Sequence, residues 1–171
     1  MNTPRILALA AALLLGGCNT TLIFPVAGGE QATVILGPGG PVLMAKDGVQ
    51  VLRAGMDPNR SAKALNYAFD LSFADGKAPR SVQVDDVSDS QPVLLAVDSH
   101  PYLEGGRWHF SSTSRLKGDP DIAFISTIET STRIYRFKVV KADGAEVTIY
   151  QAVFYPAPLK VLIRHVLGMD Y

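Results

Sequence analysis

The chain has 171 residues, and its 16 lysines and arginines balance 16 aspartates and glutamates. This neutrality argues against the broad basic surface that binding to nucleic acid or to anionic lipid requires. A single cysteine, Cys18, excludes an intrachain disulfide. The chain that follows it is long enough for one domain that buries its core without covalent cross-links.

The first eighteen residues have the parts of an export signal. Arg5 provides a positive charge, residues 6–15 form an unbroken apolar run, and two glycines precede Cys18. A helix of ten residues would be about 15 Å long, which is half the thickness of a hydrocarbon core. We therefore predict a cleaved signal peptide over residues 1–17. The alternatives are an ordinary exported protein with an unrelated cysteine and an uncleaved anchor.

The sequence Leu15–Cys18 resembles the lipobox of bacterial lipoproteins. This resemblance implies cleavage after Gly17, a diacylglycerol on the Cys18 sulfur and acylation of the new amino terminus, which makes the membrane a partner of the chain. Stable anchoring takes more than one lipid chain, and a triacylated cysteine supplies them. Asn19 stands where inner-membrane lipoproteins usually have aspartate, which implies an outer-membrane location facing the periplasm. The inner membrane and the cell surface remain alternatives.

We predict that residues 18–31 consist of the acylated cysteine and a tether that keeps the globular part near the bilayer. An alternative for part of this segment is an edge strand over Leu22–Val26, since Pro25 is tolerated in a sheet only at an edge or at the first residue of a strand. Residues 32–171 form the predicted globular domain.

The first half of this domain contains β-branched runs separated by turns. Residues 32–55 predict a three-stranded meander, with breaks at residues 37–41 and at Asp47-Gly48. The glycines at 37–41 are not followed by a Lys-Ser/Thr pair or a helical pattern, so they predict a turn rather than a phosphate-binding loop. Residues 56–64 predict a loop with one helical turn.

Further strands are predicted from the alternation of apolar and polar side chains. The clearest has four large apolar residues on one face, and the last is apolar on both faces, which predicts a central strand. Apolar positions at helical spacing then predict a short C-terminal helix. The segments are Tyr67–Phe73, a returning strand at 81–87, a fully buried strand at Pro92–Val97, strands at 108–110, Arg133–Lys141 and Glu146–Tyr155, and the helix Leu159–Leu167.

Together these elements predict an all-β fold, a single β-sandwich closed by the C-terminal helix. An immunoglobulin-like topology is one option for the sandwich, although the cysteine pair of antibody domains is absent. A small barrel is the alternative architecture.

The chain contains no motif that assigns a metal, a cofactor or a catalytic residue. The three histidines, His100, His109 and His165, lack the spacing of metal ligands. Asp85, Asp86 and Asp89, here called the acidic cluster, lack the pattern of a calcium-binding loop, so a solvated turn is the simpler interpretation. No Gly-x-Ser-x-Gly elbow occurs, and an acylated Cys18 offers no free thiol.

Side chains suited to recognition are concentrated between residues 99 and 114. Tyr102, Trp108 and His109 lie there among glycines and serines, in a setting typical of contact residues. Together with the acidic cluster they form the candidate contact surface. The alternation of Trp108 with Phe110 also fits a strand face that packs in the core.

These features predict a lipid-anchored, periplasm-facing binding or structural module. Its expected role is that of an accessory subunit of an envelope assembly, with an envelope protein and no nucleic acid as its partner. One alternative is an envelope hydrolase with an acidic site built from residues 85–89 and 119–121. Another is a binder of glycans or small ligands that uses Tyr102 and Trp108.

Overall fold

A computed structural model of the chain describes residues 19–98, 102–127 and 132–155. This part is almost entirely β-structure, with one short α-helix, and the predicted all-β sandwich is confirmed. The strands are β1 Thr20–Pro25, β2 Gln31–Gly37, β3 Gly40–Pro41, β4 Ala45–Lys46, β5 Val49–Asn59, β6 Ala64–Phe73, β7 Ser81–Asp86, β8 Val93–Asp98, β9 Tyr102–Glu104, β10 Arg107–Arg115, β11 Thr132–Val140 and β12 Glu146–Phe154, and the helix α1 is Pro120–Thr127.

The strands form three antiparallel sheets. Sheet A has the order β1-β2-β3, sheet B the order β4-β5-β6-β10-β9, and sheet C the order β12-β11-β7-β8. The inward side chains of β6 in sheet B meet those of β11 in sheet C. The Phe69 ring makes edge-to-face contacts with Tyr135 and Phe137, at centroid distances of 5.5 and 5.6 Å. These aromatic side chains form the centre of the sandwich core.

Sheet A adds a third layer to the predicted two-sheet sandwich. Alternation along β11 places Ile134 on the face of sheet C opposite Tyr135. Val34 and Leu36 of β2 pack against Ile134 and Ala152 in a second buried cluster. Sheet C is therefore covered on both faces, at least along the part that carries these residues.

The amino-terminal part of the fold differs from the prediction. The segment predicted as a tether contains β1, which pairs with β2 from Thr20–Leu36 to Pro25–Gln31, so the alternative of an edge strand describes it better. The predicted meander over residues 32–55 is divided between two sheets, because β2 and β3 belong to sheet A while β4 and β5 belong to sheet B.

The predicted loop over residues 56–64 is mostly strand. β5 continues to Asn59, and its pairing with β6 includes Pro58 opposite Leu65. β4 pairs only with the start of β5, at Val49 and Gln50. At Pro58, the edge of β5 that faces away from β6 is therefore not paired with β4. A proline has no N–H to donate and is tolerated at such an edge.

Two strands occupy different positions in their sheet from those predicted. β8, expected to be fully buried, ends sheet C and leaves Val93 and Leu94 more than half exposed. β12, expected to be central, ends the same sheet on the other side. Both of its faces are nevertheless covered, since Ile149 packs in the sandwich core and Ala152 packs against sheet A.

The helix α1 lies in a segment for which no helix was predicted. The predicted C-terminal helix Leu159–Leu167, the signal peptide and Cys18 lie outside the described residues. None of the helical segments within the described ranges is long and apolar enough to cross a membrane.

Candidate functional site

Two residues of the candidate contact surface come together on the outer face of sheet B. Tyr102 on β9 lies directly opposite His109 on β10. Their rings stack with a centroid distance of 4.7 Å and an interplanar angle of 20°. Tyr102 is 60% exposed, so one side of this stack is open to solvent. The two side chains form a flat aromatic surface at the end of the sheet.

A carboxylate that the sequence analysis missed positions His109. Asp70 on β6 lies opposite His109 in the strand register, and its Oδ1 is 2.8 Å from the His109 Nδ1. Because an ionised carboxylate only accepts hydrogen bonds, Nδ1 is the donor. On the other side of the ring, Nε2 is 3.9 Å from the Glu104 carboxylate. The sequence feature that could have indicated Asp70 is its position on the outward face of a strand whose other face is aromatic.

Trp108 does not belong to this surface. It lies opposite Leu71 and Leu103, on the face of β10 that turns toward the sandwich core. Its side chain is partly buried against that core, next to Phe110 on the same face. The core interpretation of the alternating pair Trp108 and Phe110 is therefore the one that the structure supports.

Exposed apolar side chains are concentrated where sheets B and C end on the same side of the sandwich. Val93 and Leu94 on β8 are 53% and 57% exposed, and Leu103 on β9 is 53% exposed. β8 also contacts β10, the neighbour of β9, while β12 at the other end of sheet C contacts β4 and β5, so β8 and β9 end their sheets on the same side. We call Val93, Leu94, Tyr102 and Leu103 the apolar edge. It was not predicted, because the pattern at 92–97 suggested a buried strand.

The acidic cluster does not form an exposed turn. Asp85 is buried on β7 directly opposite Arg136 on β11. The Arg136 Nη2 donates to Asp85 Oδ2 at 2.8 Å, and Nε donates to the same oxygen at 3.1 Å. Gln83 Nε2 donates to Asp85 Oδ1 at 2.9 Å. Asp85 is therefore part of a buried ion pair and not of a contact surface.

The other two acids of the cluster share Arg133. Asp86 is buried and accepts from the Arg133 Nε at 2.9 Å, and it also accepts from the Ser88 hydroxyl at 2.6 Å. Asp89, whose side chain is mostly exposed, accepts from the Arg133 Nη2 at 2.9 Å. Burial opposes the charge of Arg133, but the two carboxylates outweigh it and raise the pKa of Arg133.

Arg136 also binds a residue of the loop that joins β1 to β2. Its Nη1 donates to the Glu30 carboxylate at 2.8 Å, and the Tyr150 hydroxyl donates to the same carboxylate oxygen. The Tyr150 hydroxyl and then Arg136 lower the pKa of Glu30. This contact fastens the β1–β2 hairpin to sheet C. No sequence signal pointed to it, because Glu30 and Arg136 are 106 positions apart.

The acids that a hydrolase would need are not gathered in one place. Asp121 on α1 accepts from the Arg60 Nε at 2.7 Å, whereas Asp85 and Asp86 lie on β7 in sheet C. His100, which such a site could have used, lies outside the described residues. Within the described ranges, no group of three or more His, Cys, Asp or Glu side chains is arranged to hold a metal ion.

We compared the chain with protein-family models, with curated proteins and with solved structures, and none of them matched.

Proposed function

We propose that this protein is a lipid-anchored envelope module that binds a protein partner through the apolar edge, as an accessory subunit of an envelope assembly. The observation that carries the proposal is the group of four large apolar side chains, each more than half exposed, on the strands that end two facing sheets. An exposed sheet edge offers main-chain groups for the addition of a strand, and alternate side chains supply selectivity.

The arrangement of the acids favours binding over hydrolysis. A general acid or base must reach a substrate, but Asp85 and Asp86 are buried and held by arginines in ion pairs. The inward orientation of Trp108 removes one of the two aromatic side chains expected of a glycan binder on this surface. These observations support the non-enzymatic role.

The start of the fold fits a close attachment to the bilayer. β1 begins at Thr20, two residues after Cys18. Two extended residues span at most about 7 Å. An acylated Cys18 would therefore hold sheet A next to the membrane surface, without a long tether. Such confinement raises the effective concentration of the domain near membrane-bound partners.

The binding proposal is tested by co-purification from envelopes in a mild detergent. We expect a partner in near-stoichiometric yield with the wild type, and its loss in a variant carrying Leu94→Glu and Leu103→Glu, which places two charges on the apolar edge. Ile122→Glu on α1 is the matched control, since Ile122 is 50% exposed and its helix contacts β5 and β6 rather than the strands of the apolar edge. Retention of the partner by the double variant, or the absence of any partner, would contradict the proposal.

The anchor is tested separately by Cys18→Ser. Loss of the sulfur removes the acylation site, so the variant should move from the membrane fraction to the soluble fraction while its thermal unfolding stays unchanged. A variant that remains in the membrane fraction would show that something other than lipid on Cys18 attaches the protein.

A further inference from the structure

A groove lies beside the hairpin that docks on sheet C. It has a volume of about 580 Å³, within the range of sites for small molecules. Three parts of the fold line it. The β1–β2 hairpin contributes Glu30 and Thr33, β4 contributes Lys46, and sheet C contributes Lys138 and Tyr150. Because the lining comes from three separate sheets, the groove exists only when the hairpin is docked.

The charges in and under the groove are unevenly neutralised. Arg136, which also lines it, is engaged by both Glu30 and Asp85. The ammonium groups of Lys46 and Lys138 have no carboxylate within 4 Å among the described residues. Lys46 contacts a main-chain oxygen, that of Thr148, at 3.4 Å. Three cations (Lys46, Arg136 and Lys138) thus face two carboxylates (Glu30 and Asp85), which leaves one net positive charge to act on whatever enters the groove.

The remaining lining combines hydroxyl groups with apolar surface. Thr33 and Thr148 offer side-chain hydroxyls, and Tyr150 offers its ring while its hydroxyl is engaged by Glu30. Met44, which is only partly buried, supplies apolar surface. An inorganic anion would use the lysines alone. A sugar that carries an anionic group would use the lysines, the hydroxyls and the apolar patches together.

We propose that this groove binds a small acidic saccharide, with Lys46 and Lys138 holding its carboxylate or phosphate group. The anionic group lies between the two ammoniums, and the sugar ring lies over Tyr150 with its hydroxyls near Thr33 and Thr148. The site is separate from the apolar edge, so it adds a ligand to the proposed protein partner. It does not depend on the identity of that partner.

The test is an NMR titration of the full chain in a nonionic detergent. The probes are glucuronic acid, glucose 6-phosphate, neutral glucose and inorganic phosphate. We expect the amide signals of Lys46, Lys138 and Thr148 to shift and saturate in the millimolar range with at least one acidic sugar. Glucose should bind at least tenfold more weakly, and the acidic sugar that binds more tightly identifies the preferred anionic group. Raised salt should weaken binding, since both lysines are exposed.

Lysine variants establish whether binding occurs in this groove. Lys46→Ala and Lys138→Ala should each weaken binding by about tenfold, the usual effect of losing one hydrogen bond to a charged group. Both side chains are exposed and lie outside the Arg136 ion pairs, so the fold should persist. Lys117→Ala is the matched control, because Lys117 is exposed and does not line the groove.

Three results would overturn the proposal. The first is that neither acidic sugar shifts these amides in the millimolar range. The second is that inorganic phosphate binds as tightly as glucose 6-phosphate, which would mean that the groove attracts anions without recognising a sugar. The third is that Lys46→Ala and Lys138→Ala bind the acidic sugar as tightly as Lys117→Ala does.

Discussion

Removal of the Arg136 guanidinium tests how much the fold depends on its buried ion pair. Arg136 and Asp85 are both buried, and two hydrogen bonds join them at 2.8 and 3.1 Å. In Arg136→Met the Asp85 carboxylate stays buried without its counter-charge. Breaking such a pair from one side costs about 3–5 kcal/mol of unfolding free energy. In a chain of this size that loss corresponds to a decrease in Tm of roughly 6–20 °C.

The reasoning is checked by neutralising the carboxylate as well. If the cost comes from an unpaired buried charge, Asp85→Asn in the Arg136→Met background should recover at least about 1 kcal/mol, although it removes a second charged group. Urea unfolding can be followed by the fluorescence of Trp108, which is partly buried against the core. Arg115→Met is the control, since Arg115 is exposed and its replacement should change stability by less than about 0.5 kcal/mol.

Two outcomes would refute this account. A loss in Arg136→Met as small as that in Arg115→Met would mean that the buried pair adds no more than an exposed arginine. A double variant less stable than Arg136→Met would mean that the loss comes from packing of the arginine side chain. Glu30 contributes less to either result, because its side chain is 47% exposed and screened by solvent.

Three further predictions concern titration and packing. The pKa of Glu30 is lowered from its ordinary value of 4.5, so the Glu30 charge stabilises the fold above pH 4.5. In urea titrations, the stability advantage of the wild type over Glu30→Gln should therefore shrink as the pH falls below 4.5. Burial raises the pKa of Tyr155 to about 12 and also raises that of Tyr135, so the stability that their neutral hydroxyl pair provides is complete below pH 10 and is lost as the pH rises through 12. The absorbance of the folded protein should therefore show no ionisation of Tyr155 near pH 10. Phe69→Ala removes a fully buried ring and should cost about 3–5 kcal/mol in urea unfolding, against a much smaller loss for the exposed Tyr102→Ala.

Each of these has an outcome that contradicts it. A Glu30→Gln difference that stays constant from pH 7 to acid would show that the hairpin contact does not depend on the Glu30 charge. Reversible ionisation of Tyr155 near pH 10 in the folded protein would show that its hydroxyl is not buried. A loss in Phe69→Ala similar to that in Tyr102→Ala would mean that β6 does not supply the centre of the core.

Local patterns in the sequence predicted the strands whose side chains alternate between a buried and a less buried face. β6 could be predicted because burial alternates along it, and Phe69 and Leu71 are fully buried. The turn between β4 and β5 could be predicted because Asp47 and Gly48 both adopt positive φ, at 48° and 78°, as a two-residue hairpin turn of this kind requires. In both cases the sequence signal lies within a few consecutive residues.

The sheet order and the charge pairs depend on contacts between distant residues. The apolar run at Val93–Val97 has the composition of a buried strand, but Val93 and Leu94 are more than half exposed because this strand ends sheet C. Asp85 and Arg136 are 51 positions apart and meet because β7 and β11 pair in one register. No spacing within the acidic cluster could have shown that two of its members are buried. The structure therefore places Tyr102 and His109 opposite each other on neighbouring strands, and it holds Asp85 and Asp86 in buried ion pairs.

The β1–β2 hairpin links the proposed anchor to the proposed groove. Thr20, two residues after Cys18, pairs with Leu36, whereas the other end of the hairpin pairs Pro25 with Gln31, which lines the groove. Five extended residues separate these ends by about 17 Å. A lipid on Cys18 would hold the first end at the bilayer, and a hairpin standing upright on the membrane would lift the groove into the aqueous phase. The contact of Glu30 with Arg136 then has two consequences, since it fastens the anchored hairpin to the sandwich and completes the wall of the groove.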